Sequence, residues 1–227
     1  MAIYRPQAVL FDTNETLFDL TPLRPRFEEA GLPAQALELW FARVLRDGIA
    51  AAAAGTFAAF PELAAYHLRD LLGVRPGARD ARVDRILDAL RDLPPQPDVA
   101  GAIERLRRAG IRRATLTNGT VELATGWLER SGLLPHFEQV LDVSETMAWK
   151  PRAAAYVGAA KKLRVDVEHV ALVSAHPWDI HGATCAGMMG AWVDRQGREY
   201  PEVMNPPNVT GRTLEELAGK LLDLPEW

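Results

Sequence analysis

The strongest constraint on the fold is a run of short, apolar, β-branched segments set between stretches of helical spacing. They read AVLF (8–11), RRATLT (112–117), QVLDV (139–143), VALVS (170–174) and GAWVD (190–194). Runs this short, alternating with helical patterns, argue for parallel strands joined by crossover helices. Val99, Ile103 and Leu106 mark one face of the helix before the second strand, with Gly110 as its stop. Tyr156, Ala159, Ala160 and Leu163 do the same before VALVS. The expected class is therefore α/β, with a doubly wound parallel sheet.

Between the first strand and residue 97 no convincing strand appears. Leu37, Trp40, Phe41, Val44 and Leu45 recur at helical spacing, and Val83, Ile86, Leu87 and Leu90 repeat the stripe. This predicts an inserted helical unit over 20–93, with residues 1–19 and 94–227 forming the α/β core. The segment LPPQP (93–97) bounds it, because clustered prolines break helices and favour extended chain.

The 227 residues are 48% hydrophobic and 25% charged, an ordinary balance that supplies a real core. A net charge of −4 with scattered basic residues gives no footprint for a nucleic acid. No apolar run approaches the ~20 residues needed to span a bilayer, and the first residues lack the layout of a signal peptide. The chain is expected to be cytoplasmic, and its one cysteine, Cys185, agrees with a reducing compartment.

Ligands of open parallel sheets collect outside the carboxyl ends of the strands. Asp12 ends the first run, Thr117 and Asn118 the second, and Ser174 the fourth, while Lys150 lies just before a helix. Thr117 and Ser174 each have a plain alternative reading as turn or cap residues. Asp12 has none so easy, since an acid fused to a buried strand is costly unless paired or used.

Four motifs, FDTNETLFD (11–19), LTNGT (116–120), WKP (149–151) and VSAHPWDIHGA (173–183), occur in an order that resembles the haloacid dehalogenase superfamily. The resemblance covers nearly the whole chain. It implies a Rossmann-like core with a helical cap and a covalent nucleophile at Asp12. Within that superfamily the chain is most similar to the (S)-2-haloacid (L-2-haloacid) dehalogenases. That likeness implies a carbon–halogen hydrolase acting on small-molecule haloacids, with no cofactor and no metal. It assigns Thr16, Lys150, Ser174 and Asp179 to the catalytic group, and Thr117, Asn118, Tyr156 and Trp178 to the substrate. A homodimer is common in that branch.

Residue chemistry favours the same branch. A carboxylate attacking a phosphate dianion needs a divalent cation, and the departing alkoxide needs a proton donor. The superfamily meets these demands with a second Asp two places after the nucleophile and acids near the last motif. Here those positions hold Asn14 and Ser174-Ala175, which cannot act as a general acid or as an acidic metal ligand. A halide leaves as a stable anion and needs neither. Two departures from the branch stand out. Phe41 occupies the place of a cap arginine that holds halide and substrate, and reads as core or pocket wall. His176 replaces an asparagine; it is either a cap or packing residue, or a base that takes a proton from the hydrolytic water. A Mg²⁺-dependent phosphatase and a non-catalytic binding protein on this scaffold are the alternatives.

Overall fold

The computed structural model describes residues 3–75 and 77–226. Residues 1, 2, 76 and 227, which the expected two-part division includes, lie outside them. The apolar runs form β1 (Ala8–Phe11), β2 (Arg112–Thr117), β3 (Gln139–Asp142), β4 (Val170–Ser174) and β5 (Met189–Val193). A sixth strand, β6 (Val209–Gly211), pairs with β5. The order is β3-β2-β1-β4-β5-β6, with every pair parallel. Strands β1, β4 and β5 are buried along their whole length, as expected for a sheet covered on both faces. Edge strand β3 is half-buried throughout.

The sequence places most of these runs correctly but misses two details. Asp194 falls just beyond β5, where its carboxylate accepts the Arg198 amide at 2.9 Å. Strand β6, the triplet Val-Thr-Gly, is too short to carry a period and forms only because β5 offers a ladder.

Helices α1 (Arg24–Glu29), α2 (Ala36–Ala53), α3 (Phe60–Leu71) and α4 (Ala81–Ala89) lie between β1 and β2 in the chain, followed by α5 (Val99–Arg108). Helices α6 (Val121–Arg130), α7 (Ala153–Leu163), α8 (Pro177–Cys185) and α9 (Leu214–Leu222) follow among the strands. Helix α5 packs on α9 and α7 on α8. Right-handed crossovers place these two pairs on opposite faces of the sheet.

The inserted helices bury the predicted stripe. Trp40, Phe41 and Val44 are enclosed, Leu45 is half-buried, and the Trp40 indole donates to the Ala64 carbonyl of α3 at 3.0 Å. Leu90 is buried in a 3₁₀ turn just after α4 rather than in the helix itself. The chain enters and leaves this region side by side. Asp19 N donates to Pro94 O at 3.0 Å and Gln96 N to Leu17 O at 2.8 Å, around an antiparallel Phe18–Pro95 bridge.

Trp149 ties the insertion to the sheet. Its indole donates to Ala58 O at 2.9 Å, its ring stacks on Phe60, and Gly48 of α2 lies so close to it that no Cβ fits between them.

Candidate active site

The strand order reverses between β1 and β4, so their carboxyl ends open the crevice where ligands of such sheets bind. Asp12 follows β1 directly and donates its amide to Val173 O of β4 at 3.0 Å. The chain then doubles back, with the Leu17 and Phe18 amides both donating to Thr13 O at 2.9 Å. That turn forces Glu15 into the left-handed region at φ 59°. Such a backbone costs a non-glycine residue about 1 kcal/mol or more.

Lys150 is fully buried, and its ammonium lies between two carboxylates. Nζ donates to Asp12 Oδ1 at 2.8 Å and to Asp179 Oδ2 at 2.7 Å. Three separate segments thus converge on one cation. Asn118 holds the lysine's backbone from both sides, Oδ1 accepting from Lys150 N at 2.8 Å and Nδ2 donating to Lys150 O at 3.2 Å. Its side chain therefore positions Lys150, whereas the sequence reading put Asn118 on the substrate.

Tyr156 is likewise enclosed behind the site. Its hydroxyl donates to Asp179 Oδ1 at 2.6 Å, and the whole side chain is buried. Both Asp179 oxygens are occupied, one by Tyr156 and one by Lys150.

The other oxygen of Asp12 is fixed by a relay. Thr16 Oγ1 donates to Oδ2 at 2.8 Å while accepting the Ala175 amide at 2.9 Å, which pins the hydroxyl. Ser174 Oγ accepts the His176 amide at 3.1 Å and shapes the same turn, in keeping with its plain reading. Thr117 Oγ1 accepts from Thr13 Oγ1 at 2.8 Å and from Gly119 N at 2.9 Å. Those two bonds leave the Thr117 hydroxyl proton as its remaining donor.

These contacts set the charge states. Burial pushes the Asp12 carboxyl up, but the Lys150 and His176 charges and the bonds from Lys150 and Thr16 outweigh it and hold Asp12 below the ordinary range. Burial pulls Lys150 down, yet its two carboxylates keep it raised. Asp179 goes the other way, raised by burial and by the Asp12 charge against the pull of Lys150. Burial and the Asp179 charge push the Tyr156 hydroxyl well above its usual value. The result is an ionised Asp12, desolvated and oriented.

His176 occupies the N-cap position of α8, although its side chain makes no capping bond there. Its ring stacks on Trp178, with centroids 5.3 Å apart, and lies 6.2 Å from the Phe41 ring. Nε2 is 3.2 Å from Asn14 O, and a carbonyl only accepts, so the hydrogen sits on that nitrogen. The same nitrogen is 3.7 Å from Asp12 Oδ2 and 3.7 Å from Glu15 Oε2. Asn14 Oδ1 is buried without a hydrogen-bond partner.

A cavity of about 350 Å³ opens beside His176, bounded by Glu15, Phe41, Leu45 and Arg198; Asp12 itself is not part of its wall. A second one of about 290 Å³ shares Glu15 and His176 and adds Arg195 and Gln96. A larger cavity of about 400 Å³ lies beside β3 and α7, away from Asp12. Sequence reasoning overlooked Glu15, Trp149 and Arg198. Glu15 offered a hint, as a charged residue inside an otherwise apolar and small-polar motif; Arg198 in a surface loop offered none.

The Asn14 carbonyl is engaged by His176, both Asp179 oxygens are taken, and Lys150 already sits between the two carboxylates. Residue 175 is alanine and supplies no oxygen from its side chain. No cluster of three His, Cys, Asp or Glu side chains suited to a metal occurs among the described residues. A divalent ion would have to compete with Lys150 for both carboxylates.

Comparison with known proteins agrees with this architecture. A family model for haloacid dehalogenase-like hydrolases matches residues 6–187. The haloacetate dehalogenase H-2 of Moraxella sp. (strain B) is 28% identical over 93% of this chain and 96% of its own length. The (S)-2-haloacid dehalogenase 4A of Burkholderia cepacia is 29% identical over 96% of this chain and 93% of its own. A crystal structure of a dehalogenase with an intermediate complex superposes with a TM-score of 0.86 at 28% identity, covering 96% of this chain and 98% of that one.

Proposed function

Since this chain belongs to the haloacid dehalogenase-like hydrolases, we propose that it hydrolyses the carbon–halogen bond of short 2-haloacids through an ester on Asp12, without a metal. The observation that carries this reading is the Lys150 ammonium lodged between Asp12 and Asp179. It keeps the nucleophile ionised in a buried site, and it stands between the two carboxylates that a divalent cation would have to share. Asn14, two residues on, cannot protonate a leaving alkoxide, and a halide requires no such proton. The relatives named for haloacetate and (S)-2-haloacid dehalogenation support the choice of substrate class.

In this reading Asp12 Oδ2, on the side of His176, attacks the halogen-bearing carbon from behind the departing halide. The Thr117 hydroxyl donates its remaining hydrogen bond to the substrate carboxylate. Asp12 Oδ1 stays on Lys150, which then stabilises the oxyanion that forms when water adds to the ester carbon. His176, placed as a donor, steadies charge at Oδ2, and Trp178 with Phe41 keeps the site poor in water. Residues 20–93 act as a cap whose α2 supplies the Phe41 and Leu45 wall.

The test is halide release from chloroacetate, bromoacetate, fluoroacetate and (S)-2-chloropropionate in the presence of EDTA. Release that persists in EDTA and vanishes in Asp12→Asn is the expected result. No release from any of them, together with Mg²⁺-dependent hydrolysis of p-nitrophenyl phosphate, would replace this reading with the phosphatase one.

A further inference from the structure

The turn that carries Thr16 is held from outside as well as from within. It doubles back over residues 13–18, and Glu15, just before Thr16, stands at φ 59°, a backbone that persists in a non-glycine residue only where its surroundings over-determine it. Thr16 is wholly buried, and a buried carbonyl needs a donor. Among the described residues its carbonyl meets one, Nη2 of Arg195, at 2.7 Å.

Arg195 lies in the loop after β5 and is itself fixed. Its guanidinium grips Asp98 as a fork, Nη1 on Oδ2 and Nη2 on Oδ1, both at 3.1 Å. Only 17% of the Arg195 side chain and 11% of the Asp98 side chain are exposed. Two-point pairing of this kind sets direction as well as distance. Asp98 occupies the N-cap position of α5, where an aspartate ordinarily accepts an amide of its own helix. Its side chain makes no such bond; Oδ2 instead accepts the amide of Leu214, the first residue of α9, at 2.7 Å. The carboxylate is thus turned away from its own helix and towards Arg195 and α9.

From Arg195 the contacts reach the nucleophile in two steps. The guanidinium holds Thr16 O, and Thr16 Oγ1 donates to Asp12 Oδ2 at 2.8 Å while accepting the Ala175 amide at 2.9 Å. Oδ2 is the oxygen that attacks in the reading above, so its direction depends on where Thr16 stands.

We propose that Arg195, held by Asp98, is a positioning residue for the nucleophile: it fixes Thr16, and through Thr16 the direction of Asp12 Oδ2. The proposal rests on the dehalogenase reading above. The bonds of Arg195 go to Asp98 and Thr16, not to Asp12 or Lys150, so its removal leaves the Lys150 ion pair in place and disturbs the aim of the carboxylate. Attack on carbon needs that oxygen in line behind the halide, and a misplacement of about 1 Å costs on the order of 100-fold in rate.

The experiment measures halide release from chloroacetate and (S)-2-chloropropionate with the protein in excess over substrate, so that halide appears as the ester forms, whatever the rate of its clearance. Urea denaturation gives the folded fraction, and rates are taken per folded chain. In Arg195→Gln the saturating rate should fall about 100-fold, with the half-saturating protein concentration within about threefold of the parent. Arg195→Lys, which keeps the charge and one donor but not the fork, should lose about 10-fold. Asp98→Asn should lose about 10-fold alone and add less than about twofold to Arg195→Gln, because the two act as one unit. A residue that only supports the fold would lower the folded fraction and leave the rate per folded chain unchanged. A rate in Arg195→Gln within about threefold of the parent, or a change confined to the half-saturating concentration, would overturn the role of Arg195 and leave the dehalogenase reading intact. If Arg195→Gln does not fold, Arg195→Lys carries the test, and a rate within about twofold of the parent overturns the role. No halide from the parent with either substrate would overturn both readings together.

Discussion

Replacing Lys150 by methionine keeps the length and most of the volume of the side chain but removes the charge that Asp12 and Asp179 share. Two buried, charge-assisted hydrogen bonds of 2.8 and 2.7 Å are lost. Each is worth ~1.5–3 kcal/mol, and breaking a buried ion pair by removing one partner costs ~3–5 kcal/mol. We expect a loss of about 4 kcal/mol at pH 8, and at ~2–4 °C per kcal/mol for a chain of this size a melting temperature lower by roughly 12 °C. The dependence on pH has a definite sign. In the parent, the depressed Asp12 carboxyl contributes stability that is present above its unfolded value and lost as pH falls through the folded one. In the variant, two desolvated carboxylates without a cation titrate upwards, so the folded state takes up protons on acidification and recovers stability. The gap between parent and variant should therefore be widest at pH 8 and narrow towards pH 5. Adding Asp179→Asn to the variant should restore about 2 kcal/mol, because one stranded charge is gone. Urea denaturation at pH 8 and pH 5 measures the loss, its dependence on pH and the restoration, and a thermal melt measures the melting temperature. A gap under about 1 kcal/mol at pH 8, or one that widens on acidification, would refute the shared ion pair.

Tyr156→Phe keeps the ring and deletes only the 2.6 Å bond to buried Asp179, so urea denaturation should show a loss of about 2 kcal/mol. A loss below about 0.5 kcal/mol would mean that Asp179 does not depend on that hydroxyl. Gly48→Ala would drive a methyl group into the Trp149 indole, costing about 1–3 kcal/mol of strain. Circular dichroism should register it as a drop of about 5 °C in melting temperature, and an unchanged value would show that the contact relaxes freely.

Much of the fold is legible because buried strands and amphipathic helices write their periods into the chain. β1, β2 and β4 appear at the residues that composition marks, and the Leu37, Trp40, Phe41, Val44 stripe is buried as its spacing requires. β6 escapes because three residues hold no period. Asp12 is legible as a carboxylate at the end of an apolar run, and Lys150 as a cation just before a helix.

The sequence by itself determined the parallel sheet, the helical insertion and the set of polar residues delivered to one sheet edge, since these follow from local pattern and strand polarity. Only the tertiary structure decided what each polar residue does. Asn118 bonds the Lys150 backbone, Tyr156 bonds the Asp179 carboxylate, His176 Nε2 lies against the Asn14 carbonyl, and Glu15 lines a cavity that His176 shares. Such contacts depend on which atom of a side chain meets which partner across separations of 23 to 162 residues in the chain. A hydrogen bond is fixed by tenths of an ångström and by direction, and neither is encoded in spacing along the chain.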